Sequence, residues 1–599
     1  MSTEHPDGRR PYVVVIMTDE EREAPVYESA ELGRWRQRTL VSWRWWDDHA
    51  VRFGRHYTGS LACVPSRPTL FTGQYPDVHG VTQTDGLGKM ADDSRMRWLP
   101  SDEVPTLGHW FRAAGYDTHY DGKWHISHAD LRDPESGETL ATNDDDGVVD
   151  PDAVRTYLDA DRLDPWGFSG WVGPEPHGGL LANAGARRDD LIADRVVAWL
   201  RDRADRRATG DPDALRPFLL VASFVNPHDI VLFPMWQRTG WPIEADADRD
   251  PPDVPPAPTA LEDLASKPAV HTVYRDGYPS AYGYADPVRA IYDEGEQDER
   301  NLYLRLHAEV DRPLDRVRRA VTGDDEAPAA STDAVLVRTA DHGELLGAHG
   351  GMHQKWYQLY EESVRIPFAI ARIGEAATTG VRVDDMPTSH VDLIPTLLDV
   401  AGLDERDLAE TLRSTHSEVH PLPGRSLGDV IADPSVADPT RSVYLQTRDD
   451  MLSGDSGASG LARVMGLVDD CPPELRIRAP IDVATNVEGI VTRLVDGGPL
   501  WKLVRTFDDP SLWPIPEREG PDGRTEPLAD EWELYDLDAD PIEATNLLAG
   551  PVDPDQPLAE IVVELRDRLL EARTERVPRR HRPWPYSSID AAAGSQESG

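Results

Sequence analysis

Cys63-Val64-Pro65-Ser66-Arg67 sets a thiol and a guanidinium one helical turn apart, in a chain whose only other cysteine is Cys471. The run continues Pro68-Thr69-Leu70-Phe71-Thr72-Gly73, which predicts a helix begun just after the cysteine, with Pro65 in its first turn and Gly73 as its stop. A side chain at that end meets unpaired N–H groups and the positive end of the helix dipole, a setting for a bound anion or a negatively charged intermediate. Arg67 adds a permanently charged five-donor group suited to an oxyanion. On these five residues alone, a small buried cysteine beside a structural arginine is an equal reading. Other chemistry-bearing sets lie far away in the chain. Asp19-Glu20 and Asp341-His342 each follow an apolar run, and Lys123 and His125 alternate in Gly122-Lys123-Trp124-His125, where an extended backbone points both to one face. His228, in Asn226-Pro227-His228-Asp229, is a loop imidazole that can cap or pack as readily as it can act, and Lys355 follows Asp341 by fourteen residues. His349 and His353 are four apart, but Gly350 and Gly351 predict a loop rather than a helical ligand pair.

The elements that must position these residues read as α/β. Residues 12 to 17 are a near-continuous apolar run, as a buried parallel strand is, and similar runs span 218 to 224 and 334 to 339. All three stop at acids or imidazoles, where an open α/β sheet places its site. Helical patterns at about 29–46, 105–114, 187–203, 299–320 and 391–401 complete the alternation of a large, mainly parallel sheet sandwiched by helices. The catalytic domain is expected over 1–430, with the acidic, Pro-rich stretch 240–300 as a surface excursion. Residues 431–575 shift to short segments that predict a smaller C-terminal α+β domain with an antiparallel sheet, and 576–599 are expected to fray. No internal repeat is present.

The formal charge of −46 repels nucleic acid, anionic membranes and polyanionic glycans, which argues against a polyanionic polymer as partner or substrate. Richness in Asp with only five lysines (Lys89, Lys123, Lys267, Lys355 and Lys502) is also what a salt-adapted or high-GC genome tends to produce. Two cysteines make no disulfide framework, and the apolar run 12–17 is too short for a signal segment or a membrane span. A soluble, cytoplasmic protein is expected. The oligomeric state is not legible.

The pentapeptide at 63–67 resembles the Cys-x-Pro-x-Arg signature of type I sulfatases in the alkaline phosphatase superfamily, whose cysteine is oxidised to formylglycine by a maturation enzyme. Further matches follow in family order and cover nearly the whole chain, down to the late segment Glu533-Leu534-Tyr535-Asp536-Leu537-Asp538-Ala539-Asp540-Pro541 with Glu543, Thr545, Asn546 and Leu547. The resemblance implies that Asp19, Glu20, Asp341 and His342 hold one divalent cation, Ca2+ as first choice with Mn2+ or Mg2+ as alternatives. The family usually has aspartate where Glu20 stands and often asparagine where His342 stands; an imidazole pulls toward a transition ion. It implies that Arg67, Lys123 and Lys355 offset the charge of the ester, that His228 or Lys355 protonates the leaving oxygen, and that His125 is the base that releases sulfate. The activity so implied is hydrolysis of a small sulfate monoester, aryl or alkyl and choline type. The alternatives are a phosphonate monoester or phosphodiester hydrolase of the same superfamily, and a non-catalytic binding protein in which Cys63 is never oxidised.

Overall fold

The computed structural model describes residues 10–582 apart from 135, 177–179, 241, 244, 245, 247, 325–332, 375–376 and 510–523. Its centre is a seven-stranded sheet. The apolar run at the start of the chain becomes the strand Tyr12–Asp19, flanked in parallel by Phe218–Pro227 on one side and Ala334–Ala340 on the other. Asp117–Gly122 continues the parallel set beyond Phe218–Pro227, and on the other side Phe368–Ile373 runs antiparallel to Ala334–Ala340, followed by the short strands Val51–Phe53 and Val381–Val383 at the edge.

The pleat sorts the apolar residues of the central strand into two cores. Val13, Val15 and Met17 pack with Val64, Leu70 and Phe71 of the signature helix and with Ile394 and Leu397, whereas Val14 and Ile16 pack with Ile192, Val196, Val310 and Leu314. The latter come from two long helices, Gly185–Ala208 and Ala285–Thr322. A strand buried on both faces has no polar alternation, which is why it reads as a continuous run.

The segment 240–300 is not a surface excursion. Val254, Leu264, Val270, Tyr274 and Tyr278 are buried in the same core as Tyr360 and Leu445, the first two on the loop before helix Ala269–Gly277, Val270 and Tyr274 on that helix and Tyr278 on the turn after it. Its acidic residues and prolines mask an apolar periodicity that helix packing uses. The long helix also begins earlier than its apolar pattern suggests, at Ala285.

Beyond residue 430, Val443–Thr447, Asn486–Arg493, Leu500–Phe507 and Glu531–Asp536 form a four-stranded antiparallel sheet. One face carries helix Pro557–Arg576 through Leu565 and Leu569; the other merges into the core around Tyr360. Of the stretch expected to fray, residues 583–599 lie outside the described residues. Glu418 accepts the backbone N–H groups of His581 and Arg582 at 2.8 and 2.9 Å, which ties 581–582 to the body. No helix among the described residues is long and apolar enough to cross a membrane.

Candidate active site

The signature folds as expected, as helix Cys63–Thr72 ended by Gly73 in the left-handed region, with all ten residues buried. Ala62, just before it, has φ 61°, and two more site residues, Glu20 and His125, also sit at positive φ, at 66° and 53°. Non-glycine residues held there cost about 1–3 kcal/mol each, and such strain persists only where surrounding contacts impose it.

Four strand ends and the helix meet at residue 63. Asp19 closes the central strand, Asp341 and His342 follow Ala334–Ala340, Lys123 and His125 follow Asp117–Gly122, and His228 follows Phe218–Pro227. Donor atoms of Asp19, Cys63, Asp341 and His342 lie within 4.8 Å of one another, and so do those of Asp19, Glu20 and His228. Lys123 Nζ is 2.8 Å from Asp19 Oδ2 and 3.9 Å from Cys63 Sγ. Lys355 Nζ is 2.9 Å from Glu20 Oε2. Nine of the ten expected site residues are linked in one buried cluster, Arg67 through Asp19 and Asp341, and His125, also buried, lies two residues beyond Lys123.

Arg67 occupies a different place in it from the one its type suggests. Its guanidinium does not lie open to an oxyanion: Nε donates to Asp341 Oδ2 at 2.9 Å, one terminal nitrogen to Asp19 Oδ2 at 2.8 Å, and the other to Lys123 O at 2.6 Å and Ser223 Oγ at 3.0 Å. Two buried carboxylates need a cation on their inner side, and the arginine is that cation. It orients the strand-end acids.

The acids keep acceptors on their other side. Asp19 Oδ1, Glu20 Oε1 and His342 Nε2 are buried and receive no hydrogen bond. His342 Nδ1 lies 3.0 Å from Gly343 O, so the proton belongs on Nδ1 and the Nε2 lone pair faces Asp19 and Asp341, 3.9 and 3.7 Å away. Burial and the Lys355 charge push the His342 pKa well down, which keeps the ring neutral. Burial pushes Asp19 up, but Lys123, His228 and Arg67 outweigh it and hold it well below the usual carboxylate range. Two carboxylates and a neutral imidazole with unshared acceptors, beside Asp341 whose oxygens already accept from Arg67 and from the Glu20 and His342 backbone, are donors that fit a divalent cation.

Residues without a sequence signal complete the site. His125 Nε2 is 2.6 Å from Asp85 Oδ1, an arrangement that fixes ring and tautomer. Glu175 accepts the backbone N–H groups of Trp124 and His125, both at 2.9 Å, and holds the strained turn; burial pushes its pKa up to about 7. Ser66 Oγ donates to Asp341 O at 2.6 Å and locks the signature helix to the second acidic pair. Asp85 and Glu175 come from loops with no periodicity, so only their pairing in space reveals them. The loop after Leu346 is glycine-shaped as expected: Gly350 and Gly351 have φ 72° and 80°, and His349 is turned to Glu262 and Glu362, at 3.1 and 3.4 Å.

Burial, with Asp19 adding to it, pushes the Cys63 thiol up to about 12. Below that pH the sulfur stays protonated and is a poor nucleophile. Iodoacetamide at pH 8 should accordingly leave unconverted Cys63 unlabelled in the folded chain and label it after denaturation. Rapid alkylation of the folded form would show a thiolate where none is expected.

The sulfatase family profile matches residues 11–403, the span that carries every one of these side chains. The chain belongs to the sulfatase family. This sulfatase is 27% identical to the uncharacterized sulfatase YidJ of Escherichia coli over 67% of its own length and 69% of that protein. It is 26% identical to a choline-sulfatase of Rhizobium meliloti over 59% and 61% of the two chains. Its fold is shared with a 2-O GAG sulfatase, TM-score 0.56 at 19% identity over 95% and 93% of the chains. A phosphonate monoester hydrolase from Silicibacter pomeroyi gives TM-score 0.55 at 19% identity, over 96% of each chain. The sulfatase is a sulfuric ester hydrolase, built on the mainly parallel sheet and separate antiparallel sheet expected from its sequence.

Proposed function

We propose that this sulfatase hydrolyses a small organic sulfate monoester, aryl or alkyl and choline type, to an alcohol or phenol plus inorganic sulfate. The observation that carries the reading is the pair of buried ammonium groups, Lys123 and Lys355, whose charges both act on residue 63, beside carboxylates with unshared acceptors. A sulfate ester carries one negative charge. Two fixed ammonium groups in a water-poor setting offset that charge and the charge that grows on the leaving oxygen.

Residue 63 works as formylglycine installed by a maturation enzyme, and its hydrate supplies two hydroxyls, one to attack sulfur and one to expel sulfate. The protonated thiol supports this, since an unmodified Cys63 has no ready nucleophile to offer. Asp19, Glu20, Asp341 and His342 would hold one divalent cation, which supplies Lewis-acid polarisation and orientation. The three carboxylates favour Ca2+, and the imidazole is the donor that admits Mn2+.

His125, steadied by Asp85, takes the proton whose loss releases sulfate. His228, beside Asp19 and Glu20, donates to the departing oxygen, with Lys355 as the second candidate for that proton. Arg67 acts through Asp19 and Asp341. The charge of −46 disfavours polysulfated substrates, and likeness to a choline-sulfatase supports a small one.

The second reading, a phosphonate monoester hydrolase, has the matching fold in its favour. Side-by-side kinetics on 4-nitrophenyl sulfate and a phenyl phosphonate ester separate the two, and kcat/KM should favour the sulfate. A preference for the phosphonate above about tenfold, roughly 1.4 kcal/mol of transition-state binding, would move the enzyme to the other branch.

A further inference from the structure

The strand Val443–Thr447 of the small sheet runs out into Arg448-Asp449-Asp450, and this exit meets two loops of the catalytic body at once. Asp449 is buried, 1% exposed. Its Oδ1 accepts the Thr84 backbone N–H at 3.2 Å, and its Oδ2 accepts the Trp356 indole N–H at 2.9 Å. Thr84 immediately precedes Asp85, the carboxylate on His125, and Trp356 immediately follows Lys355, the ammonium on Glu20.

Neighbouring bonds draw the same three segments together. Gln83 Nε2 donates to Arg448 O at 2.8 Å, and Tyr357 OH donates to Asp450 Oδ1 at 2.7 Å. Lys89 Nζ donates to Asp450 O at 2.5 Å and stands 3.9 Å from Asp449 Oδ1, so the buried carboxylate has a buried counter-charge. Neither Thr84 nor Trp356 lies in a helix or strand. No helix or strand of their own sets how far Asp85 stands from Lys355.

We propose that Asp449 is a positioning residue of the catalytic site, whose two carboxylate oxygens hold the Asp85 loop and the Lys355 loop in register. The small sheet is then a working part of the site. It touches neither residue 63 nor the cation-binding set, and acts through His125 and Lys355. This rests on the roles given to those two residues under the proposed function.

Asp449→Asn tests it, because the two N–H groups face different oxygens and an amide turns an NH2 donor toward one of them. On mature, metal-loaded enzyme, kcat should fall by about thirtyfold with KM changed less than about threefold, the scale on which a displaced catalytic group acts. Trp356→Phe removes one of the two bonds and keeps the ring, and should lower kcat by about fivefold. The double variant should be no slower than Asp449→Asn alone, because the bond that Trp356→Phe removes belongs to the tie already broken. A folded Asp449→Asn enzyme with kcat within twofold of wild type overturns the proposal, as does a double variant whose loss is the product of the two single losses. Should Asp449→Asn fail to fold, Trp356→Phe carries the test, and wild-type kcat in it overturns the proposal. The assays use whichever ester the wild type prefers, so a phosphonate preference would refute the sulfate reading and leave this test intact.

Discussion

Cys63→Ala is expected to abolish turnover, by about six orders of magnitude in kcat, the scale on which removal of a covalent nucleophile acts. Cys471→Ala should leave the rate near wild type. Cys471 is buried in a small separate cluster with Ala458, Ala462 and Leu475, whereas Cys63 stands at the start of the signature helix beside Lys123 and Asp19. Alanine leaves no thiol to oxidise, and the thiol itself is no substitute nucleophile, because burial pushes it up to about 12 and keeps it protonated. Oxidation to an aldehyde removes that obstacle, because a hydrated aldehyde attacks as an alcohol and leaves as a carbonyl. Peptide mass spectrometry of the segment containing residue 63 should find it lighter than the thiol by about 18 Da in active protein. Full activity with an unmodified cysteine would sink the mechanism.

Removal of the cation is expected to cost nearly as much. Chelation should silence the enzyme, and metal analysis of the active form should find about one divalent ion per chain, as a single-ion site requires. Two mutations separate loss of the ion from loss of the fold. Asp19→Asn takes a partner from both Arg67 and Lys123, two buried cations, and should lower activity and stability together, by about 3–5 kcal/mol in stability. His342→Ala removes a neutral donor whose Nδ1 touches only a backbone carbonyl. It should weaken metal binding by more than the about 10–100-fold that loss of an outer partner costs, with little change in melting temperature. Two tightly bound zinc ions in the wild type would point instead to a phosphatase-like site.

Much of this site was legible because strand ends announce themselves. Asp19-Glu20 and Asp341-His342 follow runs too apolar to be surface, and the signature helix is bounded by Ala62 and Gly73 at positive φ. What stayed hidden was the shell that aims these groups. Asp85 lies 40 positions from His125, Glu175 lies 50, and Asp449 lies 93 from Trp356, each on a loop whose residues follow no period. The part Arg67 takes was hidden for another reason. Its type suits an oxyanion and a carboxylate pair equally, and only the positions of Asp19 and Asp341 decide between them. In 240–300 the composition pointed outward while the spacing of Val270, Tyr274 and Tyr278 pointed inward, and packing followed the spacing.

Each of the five lysines is buried, and each ammonium is bound to oxygen: Lys89 at Asp450, Lys123 at Asp19, Lys267 at Tyr535, Lys355 at Glu20, and Lys502 at Glu361 and Glu543. The exposed positive charge of the described residues is therefore carried by arginine and histidine. For anyone handling this protein, amine-directed dyes, cross-linkers and coupling resins have no lysine to reach on its native surface. Lysine acylation becomes a gauge of unfolding, and attachment to a support is better routed through an introduced cysteine.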